Sequence, residues 1–330
     1  MDLLIGEMEH GVHNNLCDVA GVTVGHSTID EGSSHTGVTV VMPCPENPFL
    51  HPLTAGCSVF NGFGKTPGLI QVEELGTLET PIALTNTLNV GKVHDAMVGY
   101  MLERCKKDNI KLRSVNPVVC ECNDSGLNDI ALRAVEEKHV RQAIETASVD
   151  FAQGAVGAGR GTRFYVLKGG VGSSSRIFSL DGRTFTVGAL VQSNYGASRD
   201  LRLACLPEGL SACDLGSIIL ILATDLPVDA RQMKRITKRA SVAMARLGSY
   251  IGHGSGEIAI GFTTARAKKV SEHFLIKETV EEASLNLAFR AVGEACEEAI
   301  VQSMLHAKRD RTLGGETVHS LLEYMEKKDT

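Results

Sequence analysis

A serine directly follows a glycine at the head of a buried-type strand, where Gly216 and Ser217 precede the apolar run 218–223. Glycine permits strained backbone, so the Ser217 hydroxyl would be able to attack the carbonyl of Gly216. An N→O acyl shift and hydrolysis would free Ser217 as a new N-terminus. Its α-amine, with a reference pKa of about 8, can deprotonate its own hydroxyl without a histidine. Because Gly-Ser pairs before strands are common, these residue types alone leave self-cleavage and an ordinary strand start both open.

Two glycine-rich runs invite comparison with phosphate-binding loops, 157–162 (GAGRGT) and 168–173 (KGGVGS). Neither has the spacing of a P-loop or of a dinucleotide fingerprint that opens an amphipathic helix. The 11 histidines are dispersed, and no Ser-His-Asp triad can be assembled from the sequence. Cys120 and Cys122 form a C-x-C pair without CxxC or HExxH company, which favours buried thiols. We therefore expect no metal and no cofactor.

The elements that position these residues follow from the spacing of apolar side chains. Alternation within Asp18–Pro43 predicts a hairpin around the polar turn 29–35. Strands are also predicted at 117–121, 184–192, 217–224 and 257–264, and helices at 92–105, 128–147, 229–247 and 278–305. Asp229, with Gln232 three residues later, has the pattern of a capping box. Residues 197–215 are polar and irregular.

Composition limits the classes of protein to consider. The 330 residues carry a net charge of −6 and are 43% hydrophobic, which suffices for a buried core and excludes global disorder. The sequence contains no block of five like charges, so nothing in its charge pattern indicates binding to nucleic acid or to a membrane surface. No apolar run is long enough to span a bilayer, and Met1–Gly11 lacks an export signal. Nine cysteines, an odd number, favour reduced thiols in the cytoplasm.

Seven segments, found in order between about residues 14 and 265, resemble the DmpA-like serine aminopeptidases. That family contains L-aminopeptidase/D-Ala-esterase/amidase enzymes and β-peptidyl aminopeptidases. The segments are NNLCDVAGVTVGHSTIDEGSSHTGVTVVMP, GLIQVEELGTLETPIALTNTLNVGKVHDA, VVCECNDSGLNDI, KGGVGSSSR, TVGALVQSNYG, LGSIILILATDLPVDARQMKRITKRASVAMARLGS and GSGEIAIGFTTA. The resemblance implies a single α/β domain over 1–330, a four-layer αββα sandwich. It also implies autocatalytic cleavage into an α chain, 1–216, and a β chain, 217–330.

The resemblance assigns catalytic roles to four residues. Ser217 matches the nucleophile, and Ser255 and Glu257 match the serine and acidic residue of the GxxSG[DE] segment that support it. Their spacing at the head of a strand would put both side chains on one face, within reach of the Ser217 amine. The alternative for this segment is a polar turn. Asn194, in the VQ-x-NYG segment, matches the donor to the oxyanion, and its alternative is the capping of a turn.

Substrate binding is implied for Glu121 and its neighbour Asn123. Glu121 matches an acidic residue suited to the free ammonium of a substrate, which would explain exopeptidase specificity, although a solvent-facing carboxylate is the alternative. Family members often carry tyrosine in the segment that follows, where this chain has 122–126 (CNDSG). The stretch between Asn194 and Ser217 is also short compared with some relatives. The pocket wall is therefore expected to differ, and the preference among L-, D- and β-residues stays open.

These observations predict a cytoplasmic aminopeptidase that removes the N-terminal residue of short peptides, amides or esters through an acyl-enzyme on Ser217. By the same resemblance we expect a homo-oligomer, a tetramer. One alternative is an acyltransferase like the ornithine acetyltransferases, which use threonine where this chain has Ser217. The other is a non-catalytic binding protein that has kept the scaffold. Acyl transfer to an added amino acid would favour the first alternative, and complete lack of processing the second.

Overall fold

The helices and strands belong to residues 5–196, 200–203 and 215–326, which are the part of the chain that the computed structural model describes. The strands are β1 (Thr23–Glu31), β2 (Ser34–Met42), β3 (Leu53–Gly62), β4 (Thr77–Leu78), β5 (Ile82–Asn86), β6 (Val118–Cys122), β7 (Arg163–Phe164), β8 (Leu167–Lys168), β9 (Val171–Leu180), β10 (Arg183–Asn194), β11 (Leu215–Thr224), β12 (Gly254–Thr263), β13 (Lys268–Lys269), β14 (Leu275–Ile276), β15 (Asp310–Arg311) and β16 (Thr317–Val318). The helices are α1 (Leu69–Leu75), α2 (Val90–Lys107), α3 (Glu137–Glu145), α4 (Ala230–Thr237), α5 (Ala240–Arg246), α6 (Leu285–Leu305) and α7 (Leu321–Glu326).

Two sheets stack face to face and are covered by helices on both sides. The first sheet has the strand order β1-β2-β5-β6, and the second β4-β3-β12-β11-β10-β9. Apolar side chains from both sheets, such as Val118, Ile219 and Ile260, fill the space between them. Helices α2 and α3 pack on the outer face of the first sheet, and α4 to α6 on the outer face of the second. The layers are therefore αββα, which confirms the predicted architecture.

The predicted hairpin is formed by β1 and β2, but its turn is tighter than expected. Glu31 pairs with Ser34, so only Gly32 and Ser33 connect the strands. Gly32 has a φ of 58°, a value that suits a two-residue hairpin turn. The polar run 29–35 is therefore mostly strand, because its residues are paired across the ladder and need not be apolar.

Three predicted helices are shorter than their sequence patterns. Residues 128–136 are not α-helical, since Arg133 adopts a φ of 47° and Glu136 forms the N-cap of α3. Asp229 and Gln232 form the predicted capping box, but the helix that they start is interrupted between α4 and α5. There the Thr237 hydroxyl donates to the carbonyl of Lys234, a local bond that competes with helix continuation. The last long helix begins at Leu285 and not at residue 278.

The connection from β11 through α4 and α5 to β12 determines where the candidate site lies. Parallel strands need such a crossover, and here it returns the chain so that β11 and β12 pair side by side. Strand β10 pairs antiparallel on the other side of β11. The start of β11 is thereby enclosed by the start of β12 and the end of β10. Within the described ranges no helix has the length and apolar character needed to traverse a bilayer.

Candidate active site

The four residues predicted to be catalytic meet at one end of the second sheet. Ser217 pairs with Asn194 across the antiparallel ladder and with Gly256 across the parallel one. Gly256 stands between Ser255 and Glu257 in the sequence, so both of these residues flank Ser217. Sheet register alone therefore assembles residues that are separated by up to 63 positions along the chain, from Asn194 to Glu257.

These four side chains are divided between the two faces of the sheet. Residues paired in a regular ladder point to the same face, and neighbours along a strand alternate. Asn194 and Ser217 accordingly face the first sheet, where the Cys122 Sγ donates to the Ser217 carbonyl at 3.5 Å. Ser255 and Glu257 share the opposite face, which is covered by helices, as their spacing predicts. The backbone nitrogen of Ser217 lies between these two groups.

Gly216 occupies a backbone position that excludes other residues. Its φ is 152°, and a Cβ built on it would lie 1.9 Å from the carbonyl oxygen of Asn194. No L-residue fits there without moving β10, so glycine is needed before Ser217. Gly216 also lines a cavity of about 360 Å³, whereas Ser217 itself is only 4% exposed. The cavity thus reaches the Gly216 side of the bond that is predicted to be cleaved.

Asn194 borders the same cavity, and both ends of its amide are held by main-chain groups. Its Oδ1 accepts from the Arg163 N–H at 3.0 Å, and its Nδ2 donates to the Asn123 carbonyl at 2.6 Å. These bonds fix the orientation of the amide and use one of the two Nδ2 hydrogens. The amide is therefore a preorganised donor on the face of the sheet that also carries Ser217.

Ser255 and Glu257 are fully buried behind this position. The Ser255 Oγ has no hydrogen-bond partner among the described residues, which is unusual for a buried hydroxyl. Burial is the main cause that raises the pKa of the Tyr195 phenol well above its ordinary value. The nearby Glu257 carboxylate contributes in the same direction. Tyr195 lines the cavity, so Glu257 is near a residue of the cavity wall.

Glu121 is placed at the end of β6, close to the catalytic strands but outside the cavity lining that the structure describes. Its Oε1 accepts from the Lys65 N–H at 2.9 Å, and its Oε2 accepts from the Thr87 hydroxyl. A Cβ built on Gly64 would lie 3.7 Å from the Gly256 Cα and 3.9 Å from the Glu121 Oε1, so Gly64 separates the carboxylate from the start of β12. The Thr87 contact brings the end of β5 next to Glu121.

The Asn123 side chain is exposed and lines the cavity. Its Oδ1 accepts from the Ser125 N–H at 3.0 Å, which shapes the turn 123–126 into one wall. The opposite wall is formed by 161–166, in the first of the two glycine-rich runs and the residues that follow it. Asn194 joins these walls through its two hydrogen bonds.

Lys168, in the second glycine-rich run, is a structural residue that the sequence did not identify. It is completely buried, and its Nζ donates to the carbonyls of Gly159, Thr162 and Gly169 at 3.3, 2.9 and 2.8 Å. Burial lowers the pKa of Lys168 to about 7. The lysine therefore binds the backbone of its own chain. The one feature of the sequence that could have indicated this role is a lysine directly before two glycines.

The sequence also contains two other kinds of reactive group, metal-ligating side chains and the C-x-C thiols. No group of three or more His, Cys, Asp or Glu side chains in these ranges is arranged to hold a metal ion. Cys120 and Cys122 are buried, and burial raises the pKa of both thiols well above the ordinary range. Such thiols are poor nucleophiles.

Comparison with known proteins gives consistent matches. The model of peptidase family S58 matches residues 14–318. The chain is 36% identical to the beta-peptidyl aminopeptidase BapA of Sphingosinicella microcystinivorans, over 94% of this chain and 86% of that protein.

Solved structures are similar to this chain over nearly its whole length. The PH0078 protein of Pyrococcus horikoshii OT3 superposes with a TM-score of 0.91 and 40% identity, covering 99% of this chain and 97% of that one. The L-aminopeptidase D-Ala-esterase/amidase of Ochrobactrum anthropi, described as a variant of the Ntn hydrolase fold, gives a TM-score of 0.89 and 34% identity over 97% of this chain and 94% of that one.

Proposed function

Since this chain belongs to peptidase family S58 and is an aminopeptidase of the N-terminal-nucleophile class, we propose that Ser217 is its nucleophile and is exposed by autocatalytic cleavage after Gly216. The observation that carries this proposal is the register that places Ser217 between Asn194 and Gly256. The Ser217 side chain shares a face with the Asn194 amide. Hydrolysis is favoured over acyl transfer because the relatives named above include two aminopeptidases.

The first step of the proposed mechanism is attack of the Ser217 Oγ on the carbonyl carbon of Gly216. The C–N bond breaks, the nitrogen takes up a proton, and water then hydrolyses the resulting ester. Gly216 fits this position because glycine adopts a φ of 152° without a steric penalty, whereas a residue with a Cβ would displace β10. The products are chains of 1–216 and 217–330, with a free amine on Ser217.

In the mature enzyme the freed amine acts as the base. It removes the proton from its own Oγ, which attacks the carbonyl of the substrate's first residue, while Asn194 Nδ2 stabilises the oxyanion. The backbone nitrogen lies between the two faces of the sheet, so the amine can contact Ser255 and Glu257 while the hydroxyl faces the cavity side. A carboxylate at Glu257 would favour the ammonium that forms when the amine accepts the proton.

Substrates are proposed to be short peptides, amides or esters with a free N-terminal amine. Glu121 and Asn123 are proposed to receive that end of the substrate, since Glu121 lies one glycine away from β12 and Asn123 lines the cavity. We further propose that the enzyme is a cytoplasmic homotetramer. Seven cysteines of the described ranges are free thiols and buried, which supports a reducing compartment.

Intact mass of the denatured protein tests the proposal. We expect two chains separated at Gly216/Ser217 and hydrolysis of amino-acid p-nitroanilides. Ser217→Ala should leave a single inactive chain because it lacks the hydroxyl that both reactions need. Ser217→Cys should process slowly, and Ser241→Ala, on α5, should process and hydrolyse like the parent. A fully active single chain, or parental activity in Ser217→Ala, would place the nucleophile elsewhere.

A further inference from the structure

Arg163 puts a guanidinium into the wall of the cavity. The side chain is exposed and belongs to the lining residues. It lies against the turn on the opposite wall, since a Cβ built on Gly126 would be 2.8 Å from the Arg163 Nε and 2.9 Å from its Nη2. Gly126 thus leaves the room that the guanidinium occupies, and the cation borders the space that a substrate would enter.

This guanidinium differs from that of Arg160, three residues earlier in the same loop. Arg160 pairs with Asp30 at 2.8 Å and also with Asp310. Arg163 has no ion pair with any residue of 5–196, 200–203 or 215–326. The other described residues that line the cavity are all uncharged. A planar cation in neutral surroundings is suited to bind a carboxylate through two parallel hydrogen bonds.

The position of Arg163 relative to the reacting bond follows from Asn194. The Arg163 backbone N–H donates to the Asn194 Oδ1, and the Asn194 Nδ2 is the proposed oxyanion donor. A scissile carbonyl held by Asn194 therefore lies next to the backbone of Arg163, and the Arg163 guanidinium borders the same cavity. In a dipeptide, the terminal carboxylate belongs to the residue that directly follows the scissile carbonyl. A dipeptide held by Asn194 would therefore bring its carboxylate into the cavity that the guanidinium borders.

We propose that Arg163 binds a carboxylate on the leaving residue of the substrate, so that the enzyme prefers dipeptides to peptides whose C-terminus is blocked or distant. This inference rests on the proposed function, because it takes Asn194 as the oxyanion donor. The same carboxylate chemistry is offered by an acidic side chain on the leaving residue. Arg163 is thus a specificity-determining residue in a subsite for the leaving group.

The test compares three substrates that share the N-terminal residue most readily released as a p-nitroanilide. They are the dipeptide Xaa-Ala, its amide Xaa-Ala-NH₂, and Xaa-Glu-NH₂. For the parent enzyme we expect kcat/KM for Xaa-Ala to exceed that for its amide about tenfold, mainly through KM, the scale of a charge-assisted hydrogen bond. A similar advantage of Xaa-Glu-NH₂ over Xaa-Ala-NH₂ would assign the site to a side-chain carboxylate as well.

Arg163→Gln should bring the ratio of dipeptide to amide close to one, and Arg163→Lys should give an intermediate ratio because it keeps the charge but loses the fork. The ratio is measured on one preparation, so partial unfolding of a variant cancels. Arg113 is an exposed arginine that precedes β6 in the sequence. Arg113→Gln should keep the parental ratio. A parental ratio of one, or a ratio that Arg163→Gln leaves unchanged, would overturn the proposal.

The two proposals fail in different ways. If the parent cleaves p-nitroanilides but does not distinguish the dipeptide from its amide, the Arg163 subsite is wrong and the proposed function stands. If the parent is processed but hydrolyses neither p-nitroanilides nor peptides, the proposed function is wrong, and the subsite that depends on it is wrong as well.

Discussion

The strand side and the loop side of the candidate site are built in different ways. On the strand side, Ser217, Ser255 and Glu257 take their positions from the ladders of β10, β11 and β12. On the loop side, the walls 123–126 and 161–166 have few ladder bonds and are held by single side chains such as Lys168. On the strand side, many backbone hydrogen bonds together hold each residue in place. On the loop side, a single substitution can remove the contact that holds a wall in place. The proposed catalytic positions should therefore tolerate changes in neighbouring residues better than the walls of the cavity do.

Asn194 connects the two sides, and removing its amide should have the largest effect. We expect Asn194→Ala to lower kcat of the processed enzyme, because the activation free energy should rise by about 3–4 kcal/mol. This is the range for loss of an oxyanion donor. The measurement is kcat for a p-nitroanilide with the folded fraction determined in parallel.

A matched control is Asn47→Ala, which removes another buried amide with bonds at both ends. Asn47 donates to Asp108 at 2.7 Å and accepts from the Phe49 N–H at 3.1 Å. It should lower stability but leave kcat of the folded enzyme at the parental value. Equal kcat in parent and Asn194→Ala would contradict the oxyanion role and leave Asn194 as a structural link between strand and loop.

The second prediction concerns Lys168, the side chain that holds the loop wall. Its pKa is lowered to about 7, with Arg160 acting in the same direction as burial and Asp30, Asp124 and Asp310 opposing it. Below pH 7 the cost of burying the charge is fully present. Between pH 7 and the unfolded pKa of about 10.4, the unfolded chain binds a proton that the folded chain lacks, so rising pH favours folding.

The free energy of unfolding of the parent should therefore increase relative to that of Lys168→Met by about 1 kcal/mol per pH unit above pH 7. Urea unfolding of both proteins at pH 6, 7, 8 and 9 measures the difference. Lys111→Met, at an exposed lysine, should show no such trend. A difference between parent and Lys168→Met that stays constant from pH 6 to 9 would mean that this lysine does not titrate inside the fold.

The smallest expected effect concerns strain in the loop wall. Val166 has a φ of 64°, a conformation that β-branched residues rarely adopt. Val166→Asn should stabilise the protein by about 1 kcal/mol because asparagine tolerates this conformation better. The change in urea midpoint measures it, and Val149→Asn, at an exposed valine with ordinary backbone, serves as control. A loss of stability in Val166→Asn would show that side-chain packing outweighs backbone strain at this position.

The strand side was largely predictable from the sequence. Ser217 begins an apolar run, Glu257 begins an alternating one, and the matching segments brought Asn194 to the same place. The division of these side chains between two faces was not predictable, because it depends on β11 and β12 pairing in parallel with Ser217 opposite Gly256. That pairing depends on the crossover through α4 and α5, which the residue types around Ser217 do not specify.

The loop side was much less accessible to prediction. Arg163 and Lys168 lie in or beside glycine-rich runs whose spacing matches no phosphate-binding motif, so the sequence predicted no role for either residue. What Lys168 binds is a set of three carbonyls, and their convergence depends on turn conformations that residue types only weakly specify. The cleavage of Gly216–Ser217 remains a prediction, and most of the preceding stretch 197–215 lies outside the described residues.

The parallel pairing of β11 with β12 limits where such a chain can gain or lose residues. Deleting Gly256 would turn Glu257 from the helix-covered face into the interior, beside the cysteine that contacts Ser217. Additions between Thr224 and Gly254 would leave the pairing intact, since the crossover only has to return the chain to the same edge. Lineages of this protein should therefore vary in length within that crossover and stay invariant in length within the two strands.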